Sequence, residues 1–281
     1  MRKNALDPRP ALLKLRVMTE LADALLPLLK AELSDGTAPR LVFISGAQGI
    51  GKSTALRSVL EALGPRAIGL GIDDFYLPKA ERARLAAEVH PLFATRGPPG
   101  THDVLLLMET LTALQTAQPG EEIRLPRFSK RDDDRAEPTV LTMEDRPSLV
   151  ILEGWLMGAA PDPSAPLDAP LNSIEAEDPS GAWRQYQEEQ LGGFYARLWD
   201  MADSFIHLDA PGFETVLDWR LQQEAETLGK APGTLTEAET EWVERFILHY
   251  QRLTERLLSG HRRPGNVIKV RRDRTVPGAM R

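Results

Sequence analysis

Apolar residues along this chain fall into short unbroken runs alternating with longer stretches at helical spacing. Leu41-Val42-Phe43-Ile44 is an unbroken run of β-formers, and Ala55, Leu56, Val59, Leu60 and Leu63 then recur with helical period until Gly64-Pro65 stops them. The pattern repeats. The segment from Arg66 to Ile72 predicts a buried parallel strand that continues toward Asp73 and Asp74, and residues 79–89 predict a helix ending at Pro91. Val104 to about Ala117 predicts another helix, capped by Thr101 or Asp103. Glu122 to Phe128 reads as a strand whose Pro126 favours an edge. Ser148 to Leu152 is a nearly continuous apolar strand, and Phe205–Leu208 and Val267–Val270 are shorter ones. Further helices are predicted over 182–201, after Gly212 to about Leu228, and over 236–259. In the last of these Trp242, Phe246, Ile247, Leu253, Leu257 and Leu258 read as core, with Gly260 as the C-cap.

Residues 9–33 carry leucines at 12, 13, 21, 25, 28, 29 and 33 among Lys14, Arg16, Glu20, Asp23 and Lys30, the pattern of an amphipathic helix packed on the core. It ends near Ser34-Asp35-Gly36. Ala159 to Pro179, rich in proline and small residues, reads as a surface crossing without a regular core, and Gly229-Lys230-Ala231-Pro232-Gly233 as a hinge. No internal repeat is visible. Strands alternating with helices over this length point to one α/β domain with insertions.

Composition narrows the function. Of 281 residues, 42% are hydrophobic and 27% charged, as in ordinary globular proteins, and the net charge of −7 offers no field for nucleic acid or an anionic membrane. A late basic cluster, Arg262, Arg263, Lys269, Arg271, Arg272 and Arg274, reads as a solvated tail. The absence of cysteine excludes disulfides, thiolate metal sites and a cysteine nucleophile. Arg2 and Lys3 are not followed by a signal-type apolar core, and no run of about eighteen uncharged apolar residues occurs, so a cytoplasmic location is expected.

The first chemical signal is Gly46-Ala47-Gln48-Gly49-Ile50-Gly51-Lys52-Ser53, placed between the first predicted strand and its helix. A glycine-rich turn there points successive backbone N–H groups into one concave pocket for phosphate oxygens, and the helix adds its positive N-terminal end. In this P-loop reading Lys52 reaches the β- and γ-phosphates, Ser53 ligates Mg²⁺, and Thr54 completes the nucleotide-binding set for ATP.

Acids supply the second signal. If the strand continues through Asp73 and Asp74, their side chains point to opposite sides, so one faces the phosphates and the other supports it; a helix cap or turn explains the pair equally well. Glu153 ends an apolar strand roughly a hundred residues after the P-loop, the form of a Walker B acid that orients Mg²⁺. Arg220 reads either as a lid arginine that stabilises charge on the transferring phosphate or as an ordinary surface arginine. The stiff loop Thr95–Asp103, with Arg96, His102 and Asp103, and the charged stretch Ser129–Arg135, with Lys130, are candidate substrate loops; helix capping and solvation are the competing accounts.

With these elements placed, the chain resembles the D-glycerate 3-kinase family of plants and fungi and its bacterial relatives, a branch of the phosphoribulokinase, uridine kinase and pantothenate kinase superfamily. The resemblance runs from about Leu41 to Val270. It rests on the P-loop, Ile72-Asp73-Asp74-Phe75-Tyr76, Arg96-Gly97 with Thr101-His102-Asp103, Leu125-Pro126-Arg127-Phe128 with Lys130 and Asp134-Arg135, Leu152-Glu153-Gly154-Trp155, and Trp219-Arg220-Leu221-Gln222, in that order. It implies an α/β fold of P-loop NTPase type, a doubly wound parallel sheet flanked by helices with a mobile lid. One kinase domain over 1–281 is expected, with an N-terminal helical segment at 1–38 and the core at 41–270. Asp73 is similar to the superfamily's catalytic aspartate with Asp74 its neighbour, Tyr76 to an acceptor-pocket aromatic, Glu153 to the Walker B acid and Arg220 to the lid arginine.

The implied activity is ATP- and Mg²⁺-dependent phosphorylation of the 3-hydroxyl of D-glycerate. Arg96, Arg127 and Arg135 are candidates for its carboxylate, and His102 and Lys130 for hydrogen-bond donors. The family usually has Tyr where Phe128 stands and a longer, glycine-containing stretch before Asp134; here it is shortened to Arg131-Asp132-Asp133. Another small alcohol (a nucleoside, pantothenate or a sugar phosphate) is the alternative acceptor, and a non-enzymatic nucleotide switch the more distant alternative.

Overall fold

The computed structural model describes residues 9–33 and 38–278, with side chains from residue 20 onward. Helix α1 (Arg9–Ala31) puts Leu21, Leu25 and Leu29 into the core. The side chains of Leu12, Leu13, Lys14 and Arg16, the Ser34-Asp35-Gly36 stop, and Arg2 and Lys3 lie outside the described residues. There follow β1 (Arg40–Gly46), α2 (Lys52–Leu63), β2 (Ala67–Gly71), α3 (Lys79–Glu88), α4 (Val104–Thr116), β3 (Glu122–Ser129), β4 (Asp134–Thr142) and β5 (Leu149–Gly154). The second half adds α5 (Ala182–Gln190), α6 (Ala196–Asp200), β6 (Ser204–Asp209), α7 (Phe213–Thr227), α8 (Glu237–Leu248), α9 (Gln251–Leu258) and β7 (Asn266–Lys269).

Five strands form a parallel sheet in the order β2-β5-β1-β6-β7, flanked by helices. Leu41 to Ile44 and Leu149 to Leu152 are almost wholly inaccessible. Strands covered on both faces need apolar residues at every position, which is why these two read as unbroken runs rather than alternating ones. All five run the same way, so their carboxyl ends share one edge of the sheet. That edge receives the P-loop from β1, Asp73 from β2 and Glu153 from β5, the place where open α/β sheets bind ligands. Among the described residues no helix is long and apolar enough to cross a membrane.

Several elements differ from the sequence expectation. Strand β2 stops at Gly71, and Ile72–Phe75 forms a 3₁₀ turn, so Asp73 and Asp74 do not alternate across a strand. Strand β4 was not expected; it pairs antiparallel with β3 in a separate two-stranded ribbon whose mostly exposed residues carry no apolar alternation to read. The helix expected over 182–201 contains a π-helical turn, Leu191–Tyr195. The crossing from 159 to 179 is better anchored than its composition suggests: Ile174 joins Leu92, Phe93 and Trp183 in a second apolar cluster, and Glu175 and Asp178 are buried against Arg252 and Arg184.

The helix expected over 236–259 breaks between α8 and α9. His249 Nδ1 lies 3.0 Å from the Arg245 carbonyl, and Tyr250 turns inward so that its hydroxyl donates to the Arg96 carbonyl at 2.7 Å. Trp242 is not core; it is 52% exposed and stacks on Phe246. The basic cluster is no solvated tail either. Arg262 pairs with Asp209, Arg263 with Asp200 and Arg272 with Asp218, while Arg274 reaches the P-loop.

Candidate active site

The phosphate loop is shaped by two glycines in particular. Gly51 has φ 105°, a conformation that side chains disfavour, and ends the loop at the first turn of α2. Gly49 has φ 76°, and a Cβ there would stand 2.7 Å from the Cβ of Trp219, so the loop lies directly against α7. Lys52 Nζ donates to the carbonyls of Gly46 at 2.6 Å and Ala47 at 3.2 Å. Burial lowers the pKa of this ammonium, and the nearby carboxylates of Glu153 and Asp73 oppose that shift. Ile50 is buried beneath the loop, Gln48 Oε1 is buried without a partner, and Thr54 is half-buried in the first turn of α2.

Asp73 is the hub of the other half of the site. Its Oδ2 accepts from Lys130 Nζ at 2.7 Å and its Oδ1 from the Tyr76 hydroxyl at 2.8 Å. Burial pushes this carboxyl up, but the Lys130 ammonium beside it, together with the hydrogen bonds from Lys130 and Tyr76, outweighs that and holds it at about 2. It is therefore ionised at neutral pH. Asp74 faces elsewhere: its Oδ1 accepts from the Phe128 backbone N–H at 3.2 Å, tying the β3–β4 ribbon to the end of β2, and burial raises its pKa. The field of Asp73 raises the Lys130 pKa further, with Glu153 adding to it.

Ser53 Oγ donates to Glu153 Oε1 at 2.5 Å. Among the described residues no three His, Asp or Glu side chains converge as a self-sufficient metal site. One hydroxyl and one carboxylate suit Mg²⁺, which takes its remaining ligands from phosphate oxygens and water.

The basic candidates separate into occupied and available groups. Arg96 pairs with Asp133 at 2.5 Å and lies over the Phe128 ring; Arg82, fully buried, holds the same Asp133 at 2.9 Å. Asp133, at φ 54°, closes the four-residue turn Lys130–Asp133 of the ribbon, so the shortened stretch is a tight turn clamped by two arginines. Arg135 pairs with Asp103 at 2.6 Å and donates to the Tyr76 carbonyl at 3.1 Å, and Asp103 also caps α4 by accepting from Leu106 N–H. Arg127 is exposed, close enough for its charge to act on Asp74. His102 is buried, stacked on Tyr76 with ring centres 4.6 Å apart. Arg220 pairs with Glu224 at 2.8 Å and lies over Phe246; its charge reaches Tyr250, which in turn feels Asp73.

Arg274 is the functional candidate that the sequence pattern concealed. Its Nε donates to the Gly49 carbonyl at 2.8 Å, its Nη1 to Gln222 Oε1 at 2.9 Å, and its guanidinium lies over Trp219. The P-loop, α7 and the C-terminal segment are thereby locked together. We expect Arg274→Ala to raise the KM for ATP about tenfold, the scale of one hydrogen bond from a charged donor, without changing the KM of the acceptor. Steady-state kinetics with ATP varied tests this; an unchanged KM for ATP would restrict Arg274 to pinning the C-terminal segment.

No family model matches the chain. A chloroplastic D-glycerate 3-kinase of Arabidopsis thaliana is 27% identical over 230 residues, which cover 77% of this chain and 48% of the plant protein. The uncharacterized kinase mug58 of Schizosaccharomyces pombe is 31% identical over 252 residues, covering 82% of this chain and 85% of mug58. The chain belongs to the D-glycerate 3-kinase-like family of P-loop kinases. A solved structure carrying the same family name, D-glycerate 3-kinase from Cryptococcus neoformans var. grubii, superposes with a TM-score of 0.69 over 95% of this chain and 98% of that one; at 23% identity this is a likeness of fold. Membership in this kinase family accounts for a P-loop and a strand-terminal acid meeting at one sheet edge.

Proposed function

We propose that this protein transfers the γ-phosphoryl group of ATP to the primary hydroxyl of D-glycerate, forming 3-phosphoglycerate. The observation that carries this reading is Asp73: an ionised carboxylate at the end of β2, within the field of Lys52 on the phosphate side and 2.7 Å from Lys130 on the other. The Arabidopsis relative, named for this activity, supports the choice of acceptor.

Phosphoryl transfer requires alignment and charge neutralisation above all. ATP would supply the phosphoryl group, and Ser53 and Glu153 would hold an Mg²⁺ whose charge would offset that of the phosphates. Lys52 and the loop N–H groups from Gly46 to Ser53 hold the phosphates, and Arg220, on α7 beside the P-loop, exchanges its pair with Glu224 for charge on the equatorial oxygens. Asp73 orients the acceptor hydroxyl and takes its proton as the oxygen bonds to phosphorus and the β–γ bridge oxygen leaves with ADP. Because an alcohol is far less acidic than a carboxylic acid, that proton moves late, as the new bond forms. Lys130, which pairs with Asp73 inside the site and has two further N–H donors, and the exposed Arg127 are the basic groups we assign to the acceptor's carboxylate; Arg96 and Arg135 hold Asp133 and Asp103.

A second reading, a kinase of another small alcohol, is favoured by the clamped turn at Lys130–Asp133, which departs from the longer family loop. An acceptor panel decides between them. Purified protein with Mg-ATP is expected to phosphorylate D-glycerate in preference to nucleosides, pantothenate and sugar phosphates. Preference for one of the others replaces the acceptor assignment, and ATP binding with no acceptor touched would favour a nucleotide switch.

A further inference from the structure

Tyr195 sits on the π-helical turn Leu191–Tyr195 and is wholly buried. Its hydroxyl oxygen accepts from the Gly100 backbone N–H at 3.2 Å, and the His102 backbone N–H also stabilises that oxygen. The same hydroxyl lies 2.6 Å from His102 Nδ1. A phenol has a single proton to give, and Nδ1 is the acceptor within reach of it. If Tyr195 donates to Nδ1, then Nδ1 is bare and the ring's proton is on Nε2. That nitrogen is buried and has no hydrogen-bond partner. His207 makes the contrast: its Nε2 donates to the Arg263 carbonyl at 2.9 Å, so its unpartnered Nδ1 is only a lone pair. Buried N–H groups left orphaned are much rarer than under-used acceptors.

We propose that Tyr195 locks His102 as the neutral Nε2–H tautomer and that this N–H is a reserved donor for an oxygen of the acceptor substrate, beside Asp73. The ring is stacked on Tyr76, whose hydroxyl is bonded to Asp73, and the Asp73 charge acts on the ring. Burial holds the imidazole at about 4, so it is neutral where Asp73 works as a base. A neutral donor has a specific advantage there: it binds a hydroxyl or carboxylate oxygen without adding a second cation that would weaken the basicity of Asp73. The π-helical turn has a matching purpose, since the extra residue in that turn sets the direction in which Tyr195 leaves the helix. Tyr195 is thus a positioning residue and His102 a substrate-binding one. The tautomer stands independently of the phosphotransfer reading; the role toward an acceptor oxygen rests on it.

Long-range ¹H–¹⁵N correlation spectra of the full-length ¹⁵N-labelled protein read the tautomer directly. We expect the His102 ring, assigned as the signals absent from His102→Gln, to show a protonated Nε2 and an unprotonated Nδ1, lost to a tautomer mixture in Tyr195→Phe while the His207 signals stay unchanged. A protonated Nδ1 or an imidazolium at neutral pH overturns the proposal. In kinetics, a glutamine amide reaches the Nε2 position and an asparagine amide the Nδ1 position. His102→Asn is expected to lose at least about tenfold in kcat/KM for the phosphorylated acceptor, with His102→Gln recovering most of it and the KM for ATP unchanged in both. Equal losses in the two variants overturn the donor role. Failure of D-glycerate in the acceptor panel removes the glycerate assignment and leaves the spectroscopic result standing.

Discussion

Asp73→Asn is expected to bind ATP as the native protein does and to turn over at least about a hundredfold more slowly, the usual scale of a lost general base. The amide keeps the shape of the side chain and a partner for Tyr76 but places an NH₂ where Lys130 donates, so the loss combines proton acceptance with the Lys130 pair. Calorimetric ATP binding beside a single-turnover assay separates binding from turnover, and near-native turnover would remove Asp73 from this role. A companion variant tests the electrostatics. Asp73 is held at about 2 because Lys130 outweighs the effect of burial. In Lys130→Met burial acts with less opposition and the carboxyl rises. A base must be deprotonated to work, so activity falls as pH drops through its pKa, and the acid limb of kcat/KM should move to higher pH in the variant. An unmoved limb would mean that Lys130 does not set the state of Asp73.

Gly97→Ala is expected to cost about 3 kcal/mol or more in urea unfolding and to abolish activity, since it adds overpacking to backbone strain. Gly97 has φ 113°, and a Cβ on it would overlap the Tyr250 hydroxyl and lie 2.5 Å from Tyr250 Cε1. Tyr250 is buried and bonded to the Arg96 carbonyl, Trp155 Nε1 donates to the Gly97 carbonyl at 3.3 Å, and the Gly97 N–H donates to Thr101 Oγ1 at 2.8 Å. No partner can step aside without disturbing the loop that carries Arg96 and His102. Gly120 provides the control. It also has positive φ, 89°, but nothing lies within 4 Å of an added Cβ, so Gly120→Ala should cost only the backbone term, about 1 kcal/mol. Equal costs at the two positions would show that Tyr250 does not constrain the loop.

The parts of the site that were legible in the sequence are those whose chemistry is local. The P-loop needs glycines, a lysine and a hydroxyl within eight consecutive residues, and Glu153 needs only to follow an apolar run, so both announce themselves in one dimension. Buried parallel strands are equally plain, because covering both faces removes polar residues from the run. The pattern failed where the deciding contact is distant. Arg274 is one basic residue among several, and only its meeting with Gly49, 225 positions earlier, separates it from a solvated tail. Strand β4 escaped because none of its own residues is fully buried, so nothing imposes alternation on it.

By itself, then, the amino-acid order determined a phosphate loop on a parallel α/β sheet, two strand-terminal acids and a set of basic candidates around them. Which basic groups are paired, and with which acid, was decided only by tertiary structure, because a charged side chain's partner is set by what the fold brings beside it. Arg96, Arg135 and Lys130 look like Arg127 in sequence, yet Asp133, Asp103 and Asp73 stand beside the first three. The state of Asp73 was decided in the same way. A carboxylate reports its identity in the sequence, but its pKa is set by burial and by the Lys130 ammonium that the β3–β4 ribbon carries to within 2.7 Å of it.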